Sequence, residues 1–81
     1  MTLESKIKIE WIKKVTDNLE GIVANAKIRI NDMNVETVVE LKKFRDGRIT
    51  CFWPWHVTWE VTEGIFVFNQ IILNRYLSML S

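Results

Sequence analysis

The chain has 81 residues, of which 48% are hydrophobic, and its 11 Lys and Arg against 10 Asp and Glu give a formal net charge of +1. This length suits a single small domain over residues 1–81 and excludes two. The near balance of charge excludes the strong field with which basic proteins concentrate nucleic acid or anionic membranes.

The apolar content is large for the interior that such a chain can build. A domain of this size buries only roughly 60% of the surface of its unfolded chain, yet the sequence holds four Trp, four Phe and one Tyr. We therefore expect part of this apolar surface to bind a protein partner or to be shared between copies in a homo-oligomer.

Cysteine usage and the N-terminal residues bear on location. The single cysteine, Cys51, excludes an internal disulfide, and the charges at Glu4, Lys6, Lys8 and Glu10 leave no signal-peptide core. No apolar run approaches the roughly 18 residues of a membrane span. We expect a soluble, cytoplasmic protein without a cofactor and without a membrane partner.

Residues 2–20 are predicted to form a helix. Apolar side chains recur there every four residues and form one stripe, at Leu3, Ile7, Trp11, Val15 and Leu19. Thr2 suits the N-cap, and Gly21 suits the end of such a helix. A second interpretation stays open, because residues 6–11 also alternate between polar and apolar, as a strand does.

The next segments have a period of two and are predicted to be strands. Residues 22–31 place Ala24, Ala26, Ile28 and Ile30 on one side, and residues 35–44 do the same with Val35, Thr37, Val39 and Leu41. The pair Asp46-Gly47 then predicts a hairpin with a type I′ turn. A third strand begins at Ile49, so an antiparallel meander follows.

The stretch 49–62, ITCFWPWHVTWEVT, alternates over its whole length. One strand of this length would span roughly 46 Å, and Pro54 in its middle has no N–H for a ladder. We therefore expect the strand to bend near Pro54 and its second half, 56–62, to pair with a short strand at 65–68. A helix from about residue 69 to 80 follows, and a single helix from Gly64 onward is the alternative.

Together these elements predict an α+β fold. An N-terminal helix precedes an antiparallel meander of three to five strands with a bent strand near Pro54, and a C-terminal helix packs on the same sheet face as the first helix.

The residue types that usually carry catalysis do not form a convincing set. Glu60, on the same side of an extended strand as His56, would lie roughly 13 Å from it. Cys51 and His56 point to opposite sides of an unbroken strand and would fill only two of four zinc positions. No glycine-rich phosphate-binding motif occurs. The sequence predicts a non-enzymatic protein with no catalytic residue and no bound metal.

The preferred functional hypothesis is a protein-interaction or self-assembly module. Tryptophan is favoured as an interface anchor, and the bend at Pro54 is where aromatic surface should escape burial. The predicted contact residues are Phe52, Trp53, Trp55 and His56. Two other roles stay open for Trp53, Trp55 and Trp59, because tryptophans at this spacing also suit a core or a pocket for a sugar or planar ring.

Nucleic-acid binding is the alternative hypothesis. Cations surround the predicted hairpin tip and continue on the polar side of the neighbouring strand, at Lys27, Arg29, Lys42, Lys43, Arg45 and Arg48. A sheet that offers cations beside aromatic rings can follow a phosphate backbone and stack bases. The nearby carboxylates of Glu36, Glu40 and Asp46 weaken this field.

Overall fold

The computed structural model of the protein describes residues 6–16, 21–31 and 35–80. Within these ranges the chain forms one antiparallel sheet with strand order β1-β2-β3-β4, followed by two helices. The elements are β1 (Ile7–Lys14), β2 (Ile22–Ile30), β3 (Val35–Lys43), β4 (Ile49–Phe52), α1 (Trp55–Val61) and α2 (Ile65–Leu80).

The N-terminal helix predicted over residues 2–20 is wrong where the structure describes that segment, because residues 7–14 form β1. The other interpretation, a strand beginning near Lys6, is the one observed. Residues 2–5 and 17–20 of the predicted helix lie outside the described residues.

A β-bulge explains why β1 resembles a helix in sequence. The pairing of β1 with β2 shifts between Ile9 and Trp11, so Glu10 is the extra residue. Before the bulge Ile7 and Ile9 face the core, and after it Ile12 does. The core-facing residues of β1 are therefore two and then three positions apart, which resembles the stripe of a helix. Pairing with β2 makes this segment a strand despite that pattern.

The predicted meander of β2, β3 and β4 is confirmed. Ala24 pairs with Leu41, and Leu41 pairs with Cys51, so the three side chains lie in one row across the sheet. All three are buried. The residues on the opposite side of the same strands are polar or partly exposed, which gives the sheet one covered and one open face.

The hairpin predicted at Asp46-Gly47 is confirmed, but its turn differs from the predicted type I′. The Gly47 N–H donates to the Phe44 carbonyl at 3.0 Å, and the Phe44 N–H donates to the Arg48 carbonyl at 2.8 Å. Gly47 has a φ of +92°. This is the three-residue loop in which a left-handed glycine follows a turn.

The chain turns into a helix directly after β4, so the strand predicted at 56–62 is wrong. Pro54 is the N-cap of α1, and its carbonyl accepts the N–H groups of Val57 at 2.9 Å and Thr58 at 3.2 Å. Val57 and Val61 are buried one turn apart. Their four-residue spacing is met by a helix, whereas a strand would place the exposed Trp59 on the same side as both valines.

Residues 65–80 form one continuous helix, so the short strand predicted at 65–68 is also wrong and the alternative of a single helix after Gly64 is confirmed. The Gly64 carbonyl accepts the Phe68 N–H at 2.9 Å. A Cβ at Gly64 would lie 2.7 Å from the Phe68 ring, so the tight approach of this turn to α2 requires glycine.

The predicted packing of the C-terminal helix on the sheet is confirmed. Helix α2 lies against β4 and β1, and α1 lies over β3. Both helices cover the same face. The core between the layers consists of Ile7, Ala24, Ala26, Ile28, Ile30, Val35, Val39, Leu41, Cys51, Val57, Val61, Phe68, Ile72 and Tyr76.

Candidate functional site

The change from strand to helix at Pro54 sends neighbouring aromatic residues in different directions. Pro54 has φ −56° and ψ 136°, which ends β4 and begins α1 within one residue. Phe52 lies on the open face of the sheet, opposite Glu40 of β3. Trp53 packs against the core, and Trp55 projects to solvent. We call residues 52–59 the aromatic corner.

Trp53 attaches the aromatic corner to α2. Its ring lies 6.4 Å from the ring of Phe68, and its Nε1–H donates to Asn69 Oδ1 at 2.6 Å. The indole is therefore half-buried with its polar group paired, which is how interior tryptophans are held. Of the four predicted contact residues, Trp53 is the one whose contacts are mainly internal.

Trp55 and Trp59 form the most exposed part of the corner. Their side chains are 78% and 81% exposed. They lie one helical turn apart on α1, so both project from the same side of the helix, while Val57 and Val61 occupy the buried side. Two exposed indoles on one helix are an unusual feature of a small domain, because a large apolar side chain gains by burial.

His56 and Phe52 extend this surface. The His56 imidazole lies 5.9 Å from the Trp55 ring in an edge-on arrangement, and its side chain is exposed. Phe52 is 43% exposed and meets the ring of Phe44 edge-on at 6.3 Å. The predicted residues Phe52, Trp55 and His56 are thus accessible, although Phe52 faces the open side of the sheet and the other two lie on α1.

A shallow groove adjoins the corner on the open side of the sheet. Its volume is about 440 Å³, within the range of small ligand sites. The lining residues are Asn25, Val38, Glu40, Phe52, Trp53 and Pro54. One carboxylate and one amide in an otherwise apolar lining suit a side chain with an apolar body and a polar end.

The cations on β2 are neutralised by carboxylates. The Lys27 ammonium lies 3.0 Å from Glu36 and 3.6 Å from Glu10, and Arg29 lies 3.1 Å from Glu36 and 3.9 Å from Glu10. The hydrogen bonds from Lys27 and Arg29 hold the pKa of Glu36 below its ordinary range. The hydrogen bond to Glu36 in turn raises the pKa of Lys27. Two of the six cations in the nucleic-acid hypothesis are therefore already paired.

The hairpin cations differ among themselves. The Arg48 guanidinium pairs with Asp46 at 2.7 Å, and the Lys42 ammonium lies 5.7 Å from the centre of the Phe52 ring. Lys43 and Arg45 are exposed at the tip. The hairpin therefore presents cations next to the Phe44 and Phe52 rings, at one end of the open face.

Cys51 and His56, the residues weighed for nucleophilic or metal chemistry, are not brought together. Cys51 is buried, its Sγ lies 3.9 Å from the Asn69 carbonyl oxygen, and burial raises the pKa of its thiol to about 12. His56 is on the exposed side of α1. Within the described ranges no three His, Cys, Asp or Glu residues lie close enough to hold a metal ion.

The structure also exposes two aromatic residues that are not among the four predicted contact residues. Trp59, weighed as core, interface or pocket, belongs to the exposed side of α1, and Phe66 at the start of α2 is 84% exposed. The four-residue spacing of Trp55 and Trp59 is the signal that could have paired them on a helix. Glu10 could not have been placed opposite Lys27 without knowledge of the bulge.

Comparisons of the chain with protein-family models, with curated proteins and with solved structures found no match. Neither α1 nor α2, the two helices in the described part of the chain, is long and apolar enough to cross a membrane.

Proposed function

We propose that the protein is a non-enzymatic interaction module that binds another polypeptide through its aromatic corner, with Trp55 and Trp59 as the central contacts. The observation that carries this proposal is the exposure of both indoles, 78% and 81%, on one side of α1. His56 and Phe52 extend the contact, and Trp53 fixes the corner to α2 through Asn69.

The energetic reason is the apolar area that these rings offer. At about four-fifths exposure each indole presents roughly 120–200 Å². Burying one such ring contributes on the order of 3 kcal/mol before the cost of association. Exposed tryptophans of this kind form the type of anchor that dominates the energetics of many protein interfaces.

The charges near Trp59 and Phe52 indicate which kind of partner surface would fit the aromatic corner. Glu60 and Glu63 follow Trp59 in the sequence and are exposed, and Glu40 lines the groove with Phe52. A complementary partner presents an apolar cleft for the indoles with Lys or Arg at its rim, because opposite charges at the rim steer association and exclude wrong partners.

A photo-crosslinking experiment in cells tests the proposal. Benzoylphenylalanine replaces Trp59 in the full chain, and the control carries it at Lys8, which is exposed on β1, the edge of the sheet opposite β4. Irradiation is expected to give a defined protein adduct at position 59 and none at position 8. Adding Trp55→Ala is expected to reduce the adduct at least several-fold.

The proposal fails if position 59 gives no adduct, or gives the same adducts as position 8. Mass spectrometry of the adduct identifies the partner. An adduct of two copies of this chain would support the self-assembly form of the proposal, and a different polypeptide would support the form with a separate partner.

Nucleic-acid binding is the second candidate, and the basic hairpin favours it. Lys42 lies over the Phe52 ring, which meets the Phe44 ring edge-on, and Lys43 and Arg45 are exposed on the same hairpin. Such a surface suits a single strand with one or two stacked bases. Fluorescence anisotropy with a single-stranded oligonucleotide is the test. Binding that weakens steeply with salt and is lost in Lys43→Glu would support this function, and no binding at low salt would refute it.

A further inference from the structure

Helix α2 carries apolar side chains on two sides. Phe68, Ile72 and Tyr76 are buried against the sheet. A second stripe runs beside the buried one and consists of Phe66, Gln70, Leu73, Leu77 and Leu80, of which only Gln70 is polar. Leu73 is partly buried at the margin of the core, and the other four side chains are exposed. We call these five residues the outer stripe. A surface helix that packs on one side alone is polar on its exposed side. The exposed apolar residues of the outer stripe therefore indicate that α2 packs against a second partner.

The spacing within the outer stripe is that of a helix-pairing seam. Its members are separated by four, three, four and three residues, which is the repeat with which two helices interlock their side chains. Gln70 is the single polar position, and its Nε2–H donates to Asn74 Oδ1 at 2.9 Å along the same helix. A seam of this kind fits another helix better than it fits a small molecule or an extended peptide.

We propose that the outer stripe is a dimer interface, in which α2 packs antiparallel against α2 of a second copy of this chain. Charge favours a second copy as the occupant. The outer stripe has no charged residue, and Arg75, the one charged residue in α2, lies on the side with Asn74 and Ser78. In a symmetric dimer each charged residue near the axis lies close to its own copy, and like charges repel. An uncharged face can pair with itself without this repulsion.

Symmetry favours the antiparallel arrangement. Phe66 and Leu80 each lie seven residues from Leu73, so reversing one helix about Leu73 puts Phe66 opposite the leucine at the other end. The parallel arrangement would instead bring two Phe66 rings together at one level. Antiparallel helices also align their dipoles favourably.

The available area sets the strength of the dimer. Phe66 is 84% exposed, Leu77 51% and Leu80 50%. With the margins of the helix they provide on the order of 400–500 Å² per copy, which is the low end for specific interfaces. We expect a reversible dimer that is half dissociated at about 10–100 μM. The outer stripe shares no residue with the aromatic corner, so this dimer leaves Trp55 and Trp59 free.

Light scattering after size exclusion tests the dimer from about 1 to about 500 μM protein. The mass of the wild-type chain is expected to rise from one copy toward two, and Leu77→Lys is expected to remain at one copy. The matched control is Trp55→Lys with Trp59→Lys, which alters an exposed apolar pair on α1. A control that abolishes the dimer while Leu77→Lys retains it would overturn this inference and support self-assembly through the aromatic corner.

Disulfide trapping tests the orientation and does not depend on the folding of a charged variant. Cys51 is buried, so the native chain is expected to form no crosslink. Mixing Phe66→Cys with Leu80→Cys, one of them carrying a larger tag, is expected to give a mixed disulfide, and each variant alone is not. Self-crosslinking of each variant alone would show parallel helices and refute the antiparallel dimer, as would a wild-type chain that stays monomeric at every concentration.

Discussion

Asn69 connects the aromatic corner to α2 through both its side chain and its backbone. Its Oδ1 accepts the Trp53 indole N–H at 2.6 Å, and its backbone carbonyl faces the Cys51 Sγ at 3.9 Å. The residue therefore fixes the end of β4 at the point where the chain turns into α1. A half-buried indole N–H without an acceptor costs free energy, so this one amide determines how rigidly the corner is held.

Asn69→Ala is expected to lower the free energy of unfolding by about 1–2 kcal/mol, because the Trp53 N–H loses its acceptor while alanine returns part of the cost as a better helix former. The measurement is urea denaturation followed by tryptophan fluorescence. Asn74→Ala is the control, since Asn74 is exposed on the same helix, accepts a hydrogen bond from Gln70 and lies outside the outer stripe, and a change within about 0.5 kcal/mol is expected. Equal losses in the two variants would contradict this role of Asn69.

At the level of elements, some of the strands and helices could be predicted from the sequence and others could not. The meander of β2, β3 and β4 could be predicted because its alternation is unbroken and Gly47 marks its hairpin. Strand β1 could not, because the bulge at Glu10 shifts the alternation. The bulge depends on how β1 pairs with β2, and the pattern of apolar residues within β1 alone does not reveal that pairing.

Helix α1 was missed because two patterns coincide in its residues. Every second residue from Ile49 to Val61 is apolar, which indicates a strand, and the same residues repeat every four, which a helix also satisfies. Pro54 separates the two parts. The exposed residues of the corner could therefore be anticipated as a group, but the separation of Trp55 and Trp59 from Val57 and Val61 depends on the helix.

The ion cluster across β1, β2 and β3 predicts a pH dependence of stability. The pKa of Glu36 is lowered from its ordinary 4.5, first by the hydrogen bond from Lys27 and then by that from Arg29. A carboxyl whose pKa is lower in the folded state stabilises the fold above its unfolded pKa, and this contribution is lost as pH falls through the folded pKa. The raised pKa of Lys27 acts at high pH, because its contribution to the stability of the fold is lost only above its ordinary pKa of 10.5.

Wild-type protein is therefore expected to lose stability as pH falls below 4.5, and Glu36→Gln is expected to lose less, so that the two denaturation midpoints approach each other in acid. Urea midpoints at several pH values measure this. Glu40→Gln is the control on the same strand, since Glu40 has no ion pair among the described residues, and its pH profile should parallel that of the wild type. A Glu36→Gln profile parallel to the wild type would contradict the expectation.

At the scale of the whole molecule, the two faces of the protein differ in chemistry. The open sheet face sets Lys27 and Arg29 against Glu10 and Glu36, so its charges are largely neutralised within the fold. The helical face exposes most of the large apolar residues that the structure leaves in water: Trp55, Trp59, Phe66, Leu77, Met79 and Leu80. The central contacts of the aromatic corner, Trp55 and Trp59, and the outer stripe all belong to this helical layer.

If the exposed apolar residues serve binding, the fold should not need them. Trp55→Ser with Trp59→Ser is expected to change the free energy of unfolding by no more than about 1 kcal/mol, because both side chains are mainly in water and serine has about the same helix propensity as tryptophan. The control lies on the same helix: Val57→Ala with Val61→Ala removes buried methyl groups and is expected to cost about 2–4 kcal/mol. Thermal and urea denaturation of both variants measure the difference. A serine variant as unstable as the alanine variant would show that the indoles belong to the core. That result would contradict the proposal that the aromatic corner is a binding surface.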